Sequence, residues 1–467
     1  MRKKQVMALV LAVTTVVAAL AGCGAPSRPD GASTAADVDS SESSGDAASD
    51  SASDTASEAT EASSDGVVEL TFMGWEASPL ETQAVKDGIA AFEEQYPNIK
   101  VNYTPGLAGS EYNAKLLSSA AAGSLPDVMF VAAESYRTIV SKGALWDITE
   151  QFDENYPLDD FIESSRTIME VDGHVYGISS CTVSPIIYYN KDVFDAKGIE
   201  YPSADPENCW TIDEFREVAK QLTDDEIYGV YGLETVADTL NAQLLSNGGT
   251  RYSDDFTKST MNSPENKEVF EIIKAIRTED GSAPDASTLD AVGMSAKQML
   301  QTGKVAMLMD GSWALQELAA SGMNIGMAPL PAYDKVLTTG QAHLHCIANT
   351  SPHKEEAWLF LQFLSGMEYQ GALVKSGLWM PNRYSMYEED AVAQWYDENV
   401  HGDSYRQMLT YFRDAVVDPT ALQLSSQARD IIAEETDMYF KEDQDLDVTL
   451  QNMDTRIDEA IQDILGQ

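Results

Sequence analysis

The sequence predicts an α/β protein with a parallel sheet, and three observations carry that expectation. Apolar alternation and helical periodicity take turns along residues 68–132, the pattern of strand–helix–strand crossovers. Val128 to Ala132 is a continuous apolar run, as expected of a strand covered on both faces. The chain has 467 residues, 43% of them apolar and 23% charged, enough for two or three domains at roughly 100–200 residues each.

The N-terminus comes first. Arg2, Lys3 and Lys4 precede residues 6–21, which are apolar apart from Thr14 and Thr15 and fall short of the ~20 residues that cross a bilayer. A basic start, a short apolar core and small residues at its end predict an export signal. The run closes on Leu20-Ala21-Gly22-Cys23, which resembles a bacterial lipobox with cleavage before Cys23 and lipid on its sulfur. Residues 1–22 are therefore expected as a lipoprotein signal peptide, and the mature chain as anchored rather than spanning. Residues 23–66 follow as the lipidated Cys and an acidic Ser/Ala-rich tether. From 24 to 66 there is no aromatic residue, and ten acids face one base, Arg28. Such a stretch cannot bury enough apolar surface to offset its chain entropy, so a disordered, self-repelling tether is expected.

In the body, Val68, Leu70 and Phe72 alternate with Glu69 and Thr71, an opening strand. Val85, Ile89, Phe92 and Tyr96 lie on one face of a helix that Pro97 stops. Ile99, Val101 and Tyr103 alternate as a second strand, and Ala- and Leu-rich 110–122 reads as a second helix. Thr211 and Glu214 form a capping box ahead of a helix over 212–222. Ser263-Pro264 and Ser351-Pro352 place a cap and a first-turn proline before helices at about 265–277 and 353–365. Residues 366–467 read as mainly helical.

Charge narrows the function. With 30 Lys+Arg against 76 Asp+Glu the formal charge is −46, most of it on the body. Phosphate-backbone binding needs a basic stripe, so nucleic acid is excluded. A neutral or cationic ligand is favoured over a polyanion. Four cysteines exclude a disulfide-rich scaffold. A Cys181–Cys209 bridge is possible in an exported chain but would leave Cys346 odd.

Five stretches, in order, resemble the extracellular solute-binding proteins of carbohydrate ABC importers, the maltodextrin-binding type of family 1. They are the strand ending in Gly74-Trp75 with the helix after it and "YPNIKVNY"; "LPDVMFVAAESYRTIVSKGALWDIT" at 125–149; "VDGHVYGISSCTVSPIIYYNKDVFDAKGI" at 171–199 with "WTIDEF"; "QTGKVAMLMDGSWAL" at 301–315 with "IGMAPLP"; and "SPHKEEAWLFLQFLSG" at 351–366 with "SGLWMPNR". The resemblance implies a two-lobed periplasmic-binding-protein type II fold with a hinge and an interlobe ligand cleft. It places lobe 1 at 67–180 plus 331–373, lobe 2 at 181–330 plus 374–467, and a hinge near "SSCTVSPII". It implies a lipid-anchored protein on the extracellular face of the cell membrane, a monomer that hands a sugar to ABC permease subunits and carries no cofactor.

Sugars offer apolar C–H faces and rings of hydroxyls, so aromatic platforms and fixed polar groups are the candidate contacts. Trp75 follows the first strand, where side chains point into such a cleft. Trp313, in Gly311-Ser312-Trp313, matches a family position that stacks on ligand, and Trp379 follows a turn at Ser376-Gly377. Glu134 comes just after the buried strand and can accept from two hydroxyls, or favour a helix start that Ser135 caps. Of Tyr188 and Tyr189, strand alternation sends one to the cleft and one to a core, and Tyr188 is the candidate. Arg383 reaches ligand or caps a strand end. Asn190 reads as a turn residue, and Asn247-Gly248-Gly249 as a loop or a close backbone approach.

His343 and His345 share a strand face but have no third metal ligand nearby, so an ordinary strand pair is expected. Asp443, Asp445 and Asp447 mimic a calcium loop, yet Val448 stands where Gly is required, and a helix-starting acidic run is the reading. No G-x-S-x-G, H-E-x-x-H or phosphate loop occurs, so binding without catalysis is expected. The alternatives are a non-sugar solute (amino acid, peptide or polyamine) and a surface glycoside hydrolase, which needs only two carboxylates.

Overall fold

The computed structural model describes residues 66–466 apart from 76–77, 107–108 and 235–236. The expected export signal, Cys23 and nearly all of the tether lie outside the described residues. No helix among the described residues is long and apolar enough to cross a membrane.

Twelve strands are present among the described residues: β1 (Val68–Gly74), β2 (Ile99–Pro105), β3 (Val128–Val131), β4 (Glu170–Val171), β5 (His174–Val175), β6 (Gly177–Val183), β7 (Pro185–Asn190), β8 (Tyr228–Tyr231), β9 (Val305–Gly311), β10 (Ile325–Ala328), β11 (Thr339–Ile347) and β12 (Val416–Val417). The first sheet runs β12-β11-β3-β1-β2, with β6 also paired to β11. β1 is parallel to both β2 and β3, as the alternation of strand and helix requires. The second sheet runs β10-β7-β9-β8, and β4 and β5 form a small hairpin.

Each sheet builds its own lobe. Helices Pro79–Gln95 and Lys354–Leu364 cover the first sheet, and Leu70, Phe72, Phe92, Val128 and Phe360 fill its core. The second sheet has a core on each face, because β7 alternates: Ile187 and Tyr189 enter one, Ile186 and Tyr188 the other. Local signals mostly set the helix starts. Thr211 and Glu214 form the full capping box before Ile212–Leu222, and Ser263 caps Pro264–Thr278. Asp445 caps Leu446–Leu465, so the acidic run does begin a helix. Ser351 is different. The helix after it starts at Lys354 with His353 at the cap position and no side-chain cap bond; the Ser351 hydroxyl donates to Asp127 at 2.6 Å and accepts from the His353 N–H at 3.2 Å.

The first sheet continues to Val183, so the chain crosses to the second at Ser184 rather than at 180/181. Thr338, on the return crossing, donates to the Pro185 carbonyl at 2.8 Å. Trp379 belongs to the first core and β12 to the first sheet, although both fall in the stretch expected for lobe 2. Beyond β12, buried Asp418 and Thr420 bind Asn241 at 2.9–3.1 Å, and Arg251 donates to Asn241 and Thr420 at 2.6 and 2.8 Å. This polar knot fastens the last crossing segment to the second lobe. Cys181, Cys209 and Cys346 are free thiols, so the possible Cys181–Cys209 bridge is absent.

Candidate functional site at the lobe junction

Where the strands of an open α/β sheet end at their carboxyl sides, side chains and backbone amides converge on a crevice. In the first lobe these ends deliver Trp75 after β1 and the helix Ala133–Ser141 after β3. Tyr112 ties the two strand ends together: its hydroxyl donates to the carbonyls of Met73 at 3.1 Å and Phe130 at 2.6 Å. Trp75 lies edge-on to Tyr112, with centroids 5.5 Å apart, and stacks on His343 of β11 at 5.9 Å and 21°. Gly106 makes the close approach possible. Its N–H donates to the Gly74 carbonyl at 2.7 Å, and a Cβ there would meet the Tyr112 ring at 2.4 Å.

Glu134 begins the helix after β3, with Ala132 rather than Ser135 at the cap position. Its carboxylate, 7% exposed, accepts from Asn113 Nδ2 at 3.2 Å and from Arg429 Nη1 at 2.7 Å. Arg429 rides on the helix Gln427–Phe440, whose Ala428, Ile431 and Ile432 pack into the second lobe. The ion pair therefore joins the two lobes.

The second lobe contributes Trp313 and Asp310. Trp313 is partly exposed and packs against both the first core and a core of the second lobe. Its indole lies close against Gly311, where a Cβ would collide with the ring at 2.1 Å. The loop is pinned from below. The Tyr188 hydroxyl donates to the carbonyls of Gly311 and Ser312, both at 3.1 Å, and the Ser312 N–H donates to the Ser184 carbonyl at 2.8 Å. Asp310 Oδ1 accepts from the Gly311 N–H at 2.7 Å. Burial pushes its pKa up to about 6, against the pull of that N–H. Tyr231, at the end of β8, is half-buried, and burial followed by nearby Glu234 raises its hydroxyl pKa. Glu234 itself pairs with Arg277 at 2.5 Å.

Three expected contacts need correcting. Tyr188 is fully buried, and Tyr189 nearly so, because β7 is an inner strand covered on both faces. Tyr188 therefore positions the Trp313 loop instead of facing the crevice. Trp379 is 6% exposed and sits in the first core, 6.3 Å from the Tyr369 ring. Arg383 is spent on Asp160 at 2.7 Å, and its guanidinium lies over Tyr156 and Phe161 at 5.0 and 5.4 Å. Asn190 caps the helix Lys191–Lys197, and Gly248 takes a positive φ in a loop.

His343 and His345 both contact Phe130, at 5.2 and 5.4 Å, so they do share a face. No group of three metal-ligating side chains occurs among the described residues. Sequence reasoning missed Asn113, Tyr112, Tyr231, Asp310, His343 as a junction residue, and Arg429. Only Asp310, just ahead of the Gly-Ser-Trp motif, carried a local signal. Arg429 reaches the junction solely through the return of the C-terminal helices.

The chain is similar to several known proteins. An uncharacterized lipoprotein encoded in the oleD 5′ region of Streptomyces antibioticus is 29% identical over 311 residues, 65% of this chain and 68% of that one. The sn-glycerol-3-phosphate-binding periplasmic protein UgpB of Agrobacterium fabrum is 26% identical over 324 residues, 63% of this chain and 69% of that one. An ABC substrate-binding protein of Listeria monocytogenes, solved in complex with cycloalternan, superposes with a TM-score of 0.73 at 23% identity, over 85% of this chain and 99% of that one. That likeness gives the fold as two-lobed α/β. Residues 77–371, which include Glu134, Asp310 and Trp313 and strands of both sheets, match the bacterial extracellular solute-binding proteins, the family to which this chain belongs.

Proposed function

We propose that the protein is a lipid-tethered extracellular receptor that captures a sugar or oligosaccharide in the cleft between its lobes and delivers it to an ABC importer permease. One observation carries the reading. Two partly exposed indoles, Trp75 and Trp313, stand at the carboxyl ends of strands from different sheets, beside the carboxylates of Glu134 and Asp310. Flat aromatic faces suit the C–H faces of a pyranose, and carboxylates accept its hydroxyls. The Listeria protein of the same fold, in its complex with cycloalternan, supports a saccharide ligand. The lipobox at Cys23 and the Streptomyces relative named a lipoprotein support the tether.

The mechanism needs no chemistry on this chain. Ligand touching Trp75 and Glu134 on one lobe and Trp313 on the other binds the closed form better than the open one, and only that difference shifts the balance. Ser184, between β6 and β7 and bonded to the Trp313 loop, is the pivot that couples site to hinge. The closed form is the one that the permease reads.

The test is a thermal-shift screen of the mature chain against a panel of neutral mono- and oligosaccharides, amino acids, short peptides and polyamines. A ligand that prefers the folded state raises the melting temperature. A concentration-dependent rise with at least one saccharide is expected. A rise confined to amino acids, peptides or polyamines would reject the sugar reading, and new reducing ends on incubation with the bound oligosaccharide would reject a role without catalysis.

A further inference from the structure

Around Glu134 three buried polar atoms have no hydrogen-bond partner: Glu134 Oε2, Asn113 Oδ1 and His343 Nδ1. Such atoms are rare, since more than about 90% of buried polar groups are paired, and each left unpaired bears its desolvation cost. Three of them around one carboxylate mark a place that a ligand completes. We propose that Asn113, Glu134, His343 and Arg429 form a donor-seeking subsite beside Trp75, which admits a ligand unit bearing neighbouring hydroxyls and turns away phosphorylated and carboxylated ones. The proposal rests on the sugar-receptor reading and adds the residues that select within it.

The donor and acceptor inventory sets the selection. Glu134 Oε1 is already used by Asn113 Nδ2 and Arg429 Nη1, so the free demand falls on Oε2. Glu134 Oε2 and Asn113 Oδ1 can only accept. Burial keeps the His343 ring neutral, with Arg429 adding to the effect and Glu134 opposing it, so its Nδ1 donates or accepts according to tautomer. A ligand must therefore bring at least two donors, and hydroxyl groups do so while also accepting. A phosphate or carboxylate brings acceptors only, and sets its lone pairs against those of Glu134. Arg429 does not rescue an anion, because its charge is already matched by Glu134 at 2.7 Å. The His343 ring stacks on Trp75 and lies against the tilted ring of Phe130, so the subsite is packed next to the aromatic platform.

Access follows from the lobes. Arg429 is half exposed and belongs to the second lobe, whereas Asn113, Glu134 and His343 belong to the first. Opening about Ser184 withdraws the guanidinium and uncovers the three acceptors. Closure returns it to Glu134 over the bound unit.

Titration calorimetry of the full mature chain tests this with maltotriose, cellotriose and xylotriose as neutral probes, and sn-glycerol 3-phosphate, trigalacturonate and spermidine as charged ones. The neutral trisaccharide that binds best should lose about tenfold or more in affinity in Glu134→Gln and in His343→Phe, the latter keeping the ring stack. Arg429→Gln, on a half-exposed side chain, should do the same without affecting folding. Unchanged sugar affinity in the folded variants overturns the subsite and leaves the sugar-receptor reading standing. Tighter binding of sn-glycerol 3-phosphate or trigalacturonate than of any neutral probe overturns the selection rule. Binding of spermidine alone overturns both.

Discussion

Asp310 sits at the carboxyl end of β9, and burial lifts its pKa from 3.8 to about 6. A carboxyl whose pKa is higher in the folded state contributes stability below pH 3.8 and loses it as the pH rises through about 6. Asp310→Asn keeps an acceptor for the Gly311 N–H but cannot ionise. Denaturant unfolding across pH 4 to 7 should therefore show the wild type losing about 3 kcal/mol relative to this variant. A pH-independent difference would contradict the assignment. His345 acts in the opposite sense. Burial lowers its pKa from 6.5 to about 3, so the stability it contributes is complete above pH 6.5 and drains away as the pH falls through that window. Residue by residue, the sequence disclosed what lies beside a strand end in the chain. Trp75, Glu134 and Trp313 could be placed at strand ends because β1, β3 and the Gly-Ser-Trp turn announce themselves locally. Tyr188 misled because alternation tells which faces a strand has, not whether a helix covers both.

At the scale of elements, the crossings decide how the lobes are joined. The polar knot of Asn241, Arg251, Asp418 and Thr420 is wholly buried and holds the segment after β12. Asp418→Ala leaves the Thr420 N–H without its acceptor and the Asn241 amide with Thr420 Oγ1 alone. It should cost about 1–3 kcal/mol in urea unfolding, since a buried donor left unpaired bears its full desolvation penalty. A loss below 0.5 kcal/mol, by the same measure, would mean that water or a neighbour replaces the carboxylate. Most elements were legible from sequence. Period-2 and period-3.6 patterns gave β1, β2, β3 and their helices, and side-chain caps gave the starts at Thr211, Ser263 and Asp445. The Ser351 cap failed because the helix begins only at Lys354, so the Ser351 hydroxyl receives the His353 N–H ahead of the first turn while it donates to Asp127. The place of β12 in the first sheet had no local sign, since a two-residue strand is defined only by its neighbour.

For the whole molecule, the proposed lipid tether rests on the lipobox-like Leu20-Ala21-Gly22-Cys23 at the end of an apolar run. In the proposed reading, the acidic stretch of 43 residues after Cys23, at roughly 3.3 Å per residue at full extension, would set how far the body can reach from its anchor. Cys23→Ala removes the sulfur that carries lipid. The protein should then be recovered in the culture medium rather than the membrane fraction, and retention in the membrane fraction would contradict the anchor. Trp313 is the ring that packs against both lobes, and sugar capture in the proposed function turns on it. Titration calorimetry of wild type and Trp313→Ala with the saccharide giving the largest thermal shift is the most direct test. A weakening of about 1–3 kcal/mol with folding intact is the predicted result, and equal affinity in the two proteins would contradict the claim that an indole from the second lobe closes on the sugar.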